Sequence, residues 1–147
     1  MATTFRSGGY TVDADLELKT AGLVAASANG PTIVDFGGTE ETFHGDLVVD
    51  VSAIEIDTSD EIYTIILEGS DSATLASGVE ELACLRLGDN VVLTGNGDTD
   101  STAGRYIVPF VNERNGRHYR YARLYTLVVG TVATGIDYAA YIGVKRR

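Results

Sequence analysis

The chain has no tryptophan, one cysteine, one methionine, two prolines and two histidines in 147 residues. A single cysteine excludes a disulfide within the chain, and with two separated histidines it cannot furnish a Cys/His zinc site in one subunit. Cys84 lies in the apolar run Leu82-Ala83-Cys84-Leu85, where a thiol is expected to serve as buried core filler. No stretch approaches the roughly 18 apolar residues that span a membrane. The opening Met1-Ala2-Thr3-Thr4-Phe5-Arg6 lacks the apolar core of a signal peptide, so a soluble protein made in a cytoplasm, without a membrane partner, is expected. Gly-x-Ser-x-Gly, Gly-x-Gly-x-x-Gly and Gly-x-x-x-x-Gly-Lys are all missing, which removes the familiar nucleophile elbow and phosphate loops.

What is abundant points to strands. Seventeen glycines, eight tyrosines and many Val, Ile and Thr residues predict short strands joined by tight turns, with helix a minor component. The length suits one domain that buries a core without metal or disulfide. The net charge of −10 is unevenly placed. Residues 1–104 carry 19 acids against Arg6, Lys19 and Arg86, a balance of −16, whereas residues 105–147 carry eight bases against Glu113 and Asp137, a balance of +6. Either basic strands pair beside acidic ones within the chain, or a basic edge or tail meets an acidic patch on a neighbouring copy or partner.

Residues 1–30 read as an extended N-terminal arm, with Val12, Ala14, Leu16 and Leu18 alternating with Asp13, Asp15 and Glu17. The Asn29-Gly30-Pro31 break then opens a domain over 31–147. About eight strands are expected there: 32–36, 46–57, 61–68, 82–87, 91–94, 104–112, 117–129 and 136–144. The second and third are expected to pair as a hairpin across Thr58-Ser59. A bulge or strong twist is expected near Ser52-Ala53, because Leu47, Val49 and Val51 share one face while Ile54 and Ile56 fall on the other. Pro109 predicts that its strand is an edge or carries a bulge. Asn115-Gly116 predicts a type I′ hairpin that pairs the strands on either side of it. The expected fold is all-β, a jelly-roll-like two-sheet sandwich; an immunoglobulin-like sandwich or a closed barrel has a similar strand count.

The search for chemistry yields little. His44 is expected in a turn and His118 on a strand, neither beside a nucleophile. Asn96, Asp98 and Asp100 alternate along a glycine-containing loop as calcium ligands do, but without a following bidentate Glu at the EF-hand spacing. Strand carboxylates could in principle form a glycosidase pair, yet no tryptophan lines a sugar cleft and the acids mostly alternate outward. The segment Arg117 to Tyr125 interleaves arginine with tyrosine. It could stack single-stranded bases, but a net charge of −10 argues against a nucleic-acid partner, and both residue types are enriched at protein interfaces. Arg117, Tyr119, Arg120, Tyr121, Arg123 and Tyr125, with the tail Lys145, Arg146 and Arg147, are therefore the candidate interface residues. No catalytic residue, metal ligand or cofactor is assigned, and no enzymatic activity is expected.

Four stretches carry a resemblance: Thr32-Ile33-Val34-Asp35-Phe36-Gly37, Leu47-Val48-Val49-Asp50-Val51, Tyr106-Ile107-Val108-Pro109-Phe110-Val111-Asn112, and Arg120-Tyr121-Ala122-Arg123-Leu124-Tyr125 running to Gly130. With the closing Gly135 to Gly143 region they span residues 31–144, and the chain there resembles the jelly-roll capsid cement, or decoration, proteins of tailed bacteriophages. The N-terminal 30 residues match least. The resemblance implies a virion structural protein on the capsid exterior, a homotrimer that binds the major capsid protein, bridges neighbouring subunits and stabilises the shell. The alternative is a carbohydrate- or calcium-binding sandwich that uses the Asn96 to Asp100 loop.

Overall fold

The computed structural model describes residues 5–6, 10–11, 14–38, 42–89, 92–93 and 100–144. Among these, β1 (Phe5–Arg6) and β2 (Tyr10–Thr11) form a small antiparallel pair, and a 3-10 turn at Ala14–Leu16 leads into β3 (Glu17–Val24). There follow β4 (Ala28–Asn29), β5 (Val34–Asp35), β6 (His44–Ile54), β7 (Ile62–Ser70) and β8 (Glu80–Gly88). The rest are β9 (Gly104–Val111), β10 (Glu113–Arg114), β11 (Arg117–His118), β12 (Tyr121–Val129) and β13 (Ile136–Gly143). One antiparallel sheet runs β3-β13-β6-β9, and the other β4-β12-β7-β8, with β5 also on the edge of β12. Taking β4 and β5 as one broken strand, every connection except β7 to β8 crosses between the sheets, the connectivity of a jelly roll.

Period-2 patterning builds the core. Leu47, Val49 and Val51 of β6, Tyr63, Ile65 and Leu67 of β7, Ala122 and Leu124 of β12, and Ile136, Tyr138, Ala140 and Ile142 of β13 face one another between the sheets. Each fully buried Leu or Ile contributes about 2 kcal/mol. The buried hydroxyls of Thr126 on β12 and Tyr138 on β13 hydrogen-bond across the core and so join the two layers. Val48 and Tyr141 form a separate buried pair, which is why Leu47-Val48-Val49 is buried on both faces. Ser52 is the extra residue where the β6–β13 register shifts between Val51 and Ala53, the bulge that the sequence predicts; it lets Ile54 pack against the core. Among the described residues β9 pairs only with β6, so Pro109 does sit on an edge strand.

Several expectations change. The stretch Glu17–Val24, placed by the sequence in an arm that ends at residue 30, is extended but is the edge strand of the first sheet, paired with β13. At the irregular part of that ladder the Lys19 ammonium donates to the carbonyls of Thr20, Gly22 and Tyr138 at 3.1, 2.9 and 2.8 Å, and it lies 4.6 Å from the Tyr138 ring. Burial pushes its pKa down, against the pull of Asp137. β6 and β7 do not form a hairpin, because they belong to different sheets. Val92 and Leu93, expected on a strand, lie on a helical turn in which the Leu93 amide bonds to the Asp89 carbonyl at 3.0 Å; the rest of 91–94 lies outside the described residues. Cys84 is exposed: β8 is an edge strand with one open face, and past its bulge Leu85 and Leu87 turn inward while Cys84 and Arg86 turn out. His44 opens β6 rather than lying in a turn.

The crossing from β6 to β7 is held by a buried carboxylate. Glu61 Oε1 accepts from the amides of Asp57 and Thr58 and from the Thr58 hydroxyl, each at 2.8 Å, and Oε2 accepts from the Asp60 amide at 3.1 Å. Two further carboxylates clasp the β12–β13 loop. Asp60 accepts from the amide and hydroxyl of Thr131, both at 3.0 Å, and Glu55 Oε1 accepts from the amides of Ala133, Thr134 and Gly135 at 3.0, 2.7 and 2.8 Å. Gly135 has φ +89°, and a Cβ there would lie 2.0 Å from the Val24 carbonyl oxygen.

Burial alone would raise the Glu61 pKa, but the Thr58 amide and hydroxyl and the Asp57 amide outweigh it and hold it at about 2. A carboxyl whose folded pKa lies below its ordinary value of 4.5 stabilises the fold fully above that value. The contribution disappears as pH falls toward about 2. Urea midpoints measured between pH 6 and pH 2.5 should therefore fall steeply below about 4.5, and Glu61→Gln should flatten that fall while lowering stability at neutral pH.

Candidate interface around the arginine–tyrosine strand

The candidate residues begin at a corner. Asn115 (φ +55°) and Gly116 (φ +79°) form the two-residue turn of a hairpin that pairs Glu113 with His118 and Arg114 with Arg117, as a type I′ turn requires. The pairing expected to continue along both flanking strands stops there, because β9 enters the first sheet and β12 the second. Asn112, fully buried, makes the turn between them. Its Oδ1 accepts from the Phe43 amide at 2.7 Å, its Nδ2 donates to the Tyr119 carbonyl at 3.0 Å, and its own carbonyl accepts from the Tyr119 amide at 2.8 Å. Phe36, Phe43 and Phe110 cluster beside it, Phe36 and Phe43 stacked with centroids 4.8 Å apart.

Beyond the corner β12 alternates. Ala122, Leu124 and Thr126 point into the core, while Tyr121, Arg123, Tyr125, Leu127 and Val129 form a row on the outer face. Tyr119 is not part of that row; it is buried and belongs to the core cluster. Ile66 and Thr64 of β7 lie opposite Tyr125 and Leu127, and Cys84 and Arg86 of β8 lie opposite Ile66 and Thr64.

The arginines are matched within the chain. Arg120 forks onto Asp35 at 2.8 and 3.0 Å and lies 5.1 Å from the Tyr121 ring. Arg117 reaches Asp71 at 3.2 Å and lies 5.8 Å from the Tyr119 ring. Arg123 meets its register partner Glu68 at 3.3 Å, and Arg105 on the other sheet meets its register partner Asp50 at 2.7 Å. Arg114 donates to the Leu82 carbonyl at 2.6 Å. Among the described residues, every arginine after residue 104 is thus engaged, four of them with acids from the first part of the chain, and of these Arg105–Asp50 and Arg123–Glu68 are the cross-strand pairs that the charge asymmetry suggested. The Arg120 hydrogen bond, helped by the Gly37 amide, holds the Asp35 carboxyl below the usual range, and Asp35 in turn raises Arg120. Lys145, Arg146 and Arg147 lie outside the described residues, as do Asn96 and Asp98 of the loop read for calcium.

His118 is half-buried, with Nε2 2.6 Å from the Thr42 hydroxyl. Among the described residues, no group of three or more His, Cys, Asp or Glu side chains is placed to hold a metal ion. The residues missed from sequence are the buried hydrogen-bonders, Asn112 above all. Its one visible signal is an amide residue between a strand and a two-residue turn. No family model matches the chain, and no curated protein sequence matches it.

Replacing Asn112 by Ala should strand the Phe43 amide and the Tyr119 carbonyl and lower unfolding free energy by about 3 kcal/mol. Chemical denaturation checks this; a loss under about 1 kcal/mol would show that the corner does not depend on Asn112.

Proposed function

We propose that this protein is a non-enzymatic structural protein of a virion, binding the exterior of a bacteriophage capsid, as trimers, and cementing neighbouring major capsid subunits. The observation that carries this is the row Tyr121, Arg123, Tyr125, Leu127 and Val129 on the outer face of β12, with the arginine charge balanced by Glu68. Aromatic and apolar side chains around a neutralised ion pair have the composition of a protein-binding surface. Leu127 and Val129 are large apolar side chains left in solvent at 37% and 50% exposure. The likeness of residues 31–144 to phage decoration proteins supplies the partner. The jelly roll supplies the stiffness, since two crossed-over sheets present a fixed face. Many modest contacts repeated over a lattice would then add up to firm attachment.

The test uses emptied phage shells with and without the purified protein. Calorimetry should show the shell transition raised by several degrees, and co-sedimentation should show saturable binding that Tyr125→Ala with Leu127→Asp weakens at least about tenfold. A wild-type protein that leaves every shell tested unbound and its transition unmoved would remove this reading.

A further inference from the structure

The two lateral sides of the sandwich differ in charge and in how their edges are closed. On one side β8 and β9 are outermost. Arg114 occupies the Leu82 carbonyl at 2.6 Å, and Ser101 takes the Gly88 amide on its hydroxyl at 3.0 Å and returns its own amide to the Gly88 carbonyl at 3.1 Å. Pro109 removes a donor from β9, and Glu80, Glu81, Arg86 and Arg105 place charge along both strands. These are the devices by which proteins keep sheet edges from pairing.

The opposite side is closed differently: Lys19 donates to the Thr20 and Gly22 carbonyls of β3 at 3.1 and 2.9 Å and Pro31 follows Gly30, but no charge is placed along it beyond Lys19. It consists of β3, the link through Ser27, β4, the turn at Gly30-Pro31 and the start of β5, and from Thr20 to Val34 it carries no charged residue, in a chain of net charge −10. Among the described residues β3 pairs only with β13, and β4 and β5 only with β12, so both sheets end here without a neighbouring strand. Leu23 is 61% exposed and Ile33 42%. Leu127 and Val129 border the same side, because Ser27 Oγ accepts from the Val128 amide and Ala28 lies opposite Thr126. At the far limit, Asp35 is neutralised by Arg120.

We propose that this uncharged side is where the protein meets a second copy of itself, the sides of the copies converging on a rotation axis. Charge selects the occupant. The chain's surplus of carboxylates lies on its other surfaces, so bringing those together in two copies would set like charge against like charge. Apposing the uncharged sides avoids that cost. Strand edges are also self-complementary, since each offers both N–H and C=O groups. The stretch from Thr20 to Val34, with Leu127 and Val129, approaches the low end of the roughly 20–30 residues that a standard interface takes from each partner, so the association should be reversible. The inference rests on the self-association within the proposed function but not on a capsid as the partner.

Sedimentation of the full-length protein from about 1 to 100 µM tests it, because mass action makes such an assembly concentration-dependent. Wild type should associate, and Leu23→Glu and Ala28→Glu, both at exposed positions on different sheets, should each weaken association at least about tenfold with the melting temperature little changed. Ile107→Glu, an equivalent new charge on β9, should leave association unchanged. A wild type that stays monomeric, or association lost in Ile107→Glu but kept in both other variants, would overturn the inference. The two readings fail separately. Association without shell binding removes the capsid and keeps this interface; shell binding by a monomer does the reverse.

Discussion

A sandwich whose chain changes sheet at nearly every connection depends on its corners. At each crossing the ladder ends, and backbone amides that would have been paired are carried into the interior or its rim, where a donor left without an acceptor costs about 1–3 kcal/mol. This protein supplies the acceptors from side chains. Glu61 gathers the amides of Asp57, Thr58 and Asp60, Glu55 and Asp60 gather those of the β12–β13 loop, and Asn112 joins Phe43 to Tyr119. With those corners fixed, the apolar faces of both sheets can close on Tyr63, Leu124 and Tyr138.

The same economy governs charge. The basic last part of the chain lies beside the acidic first part, and Asp35, Asp50, Glu68 and Asp71 each take an arginine. Pairs of this kind at or near the surface add little stability. Their effect is on the surface that remains. They neutralise the arginines of an aromatic outer face, while the Thr20 to Val34 side, which has no charged residue, is an uncharged edge in an acidic molecule. The two proposals meet at Leu127 and Val129: the aromatic row from Tyr121 to Tyr125 faces a shell, and the Thr20 to Val34 side faces a second copy.

What the sequence made legible was local. Asn115-Gly116 could form only a turn that tolerates two positive φ angles, the change of apolar face across Ser52 required an extra residue, and Pro109 could not be a central strand. What it hid was long-range. Thr58-Ser59 looks like a hairpin gap, yet Glu61 turns the chain out of its sheet, and no periodicity records which sheet a strand will join. Cys84 sits in an apolar run, but its fate was decided by an edge position and a bulge, neither visible from composition. The candidate site was legible as a strand, with arginine and tyrosine in sequence. Its partition was not, since Tyr119 went to the core and the arginines to acids 46–85 residues away in sequence.

Hydrogen exchange of individual amides tests the dependence on corners most directly. If the buried acceptors hold the crossings, the amides of Thr58, Phe43 and Tyr119 should exchange only through global unfolding and match the protection of Ile65 and Leu124 in the central strands. Rapid exchange at those three positions while the central strands stay protected would contradict the account, because the corners would then open without the fold.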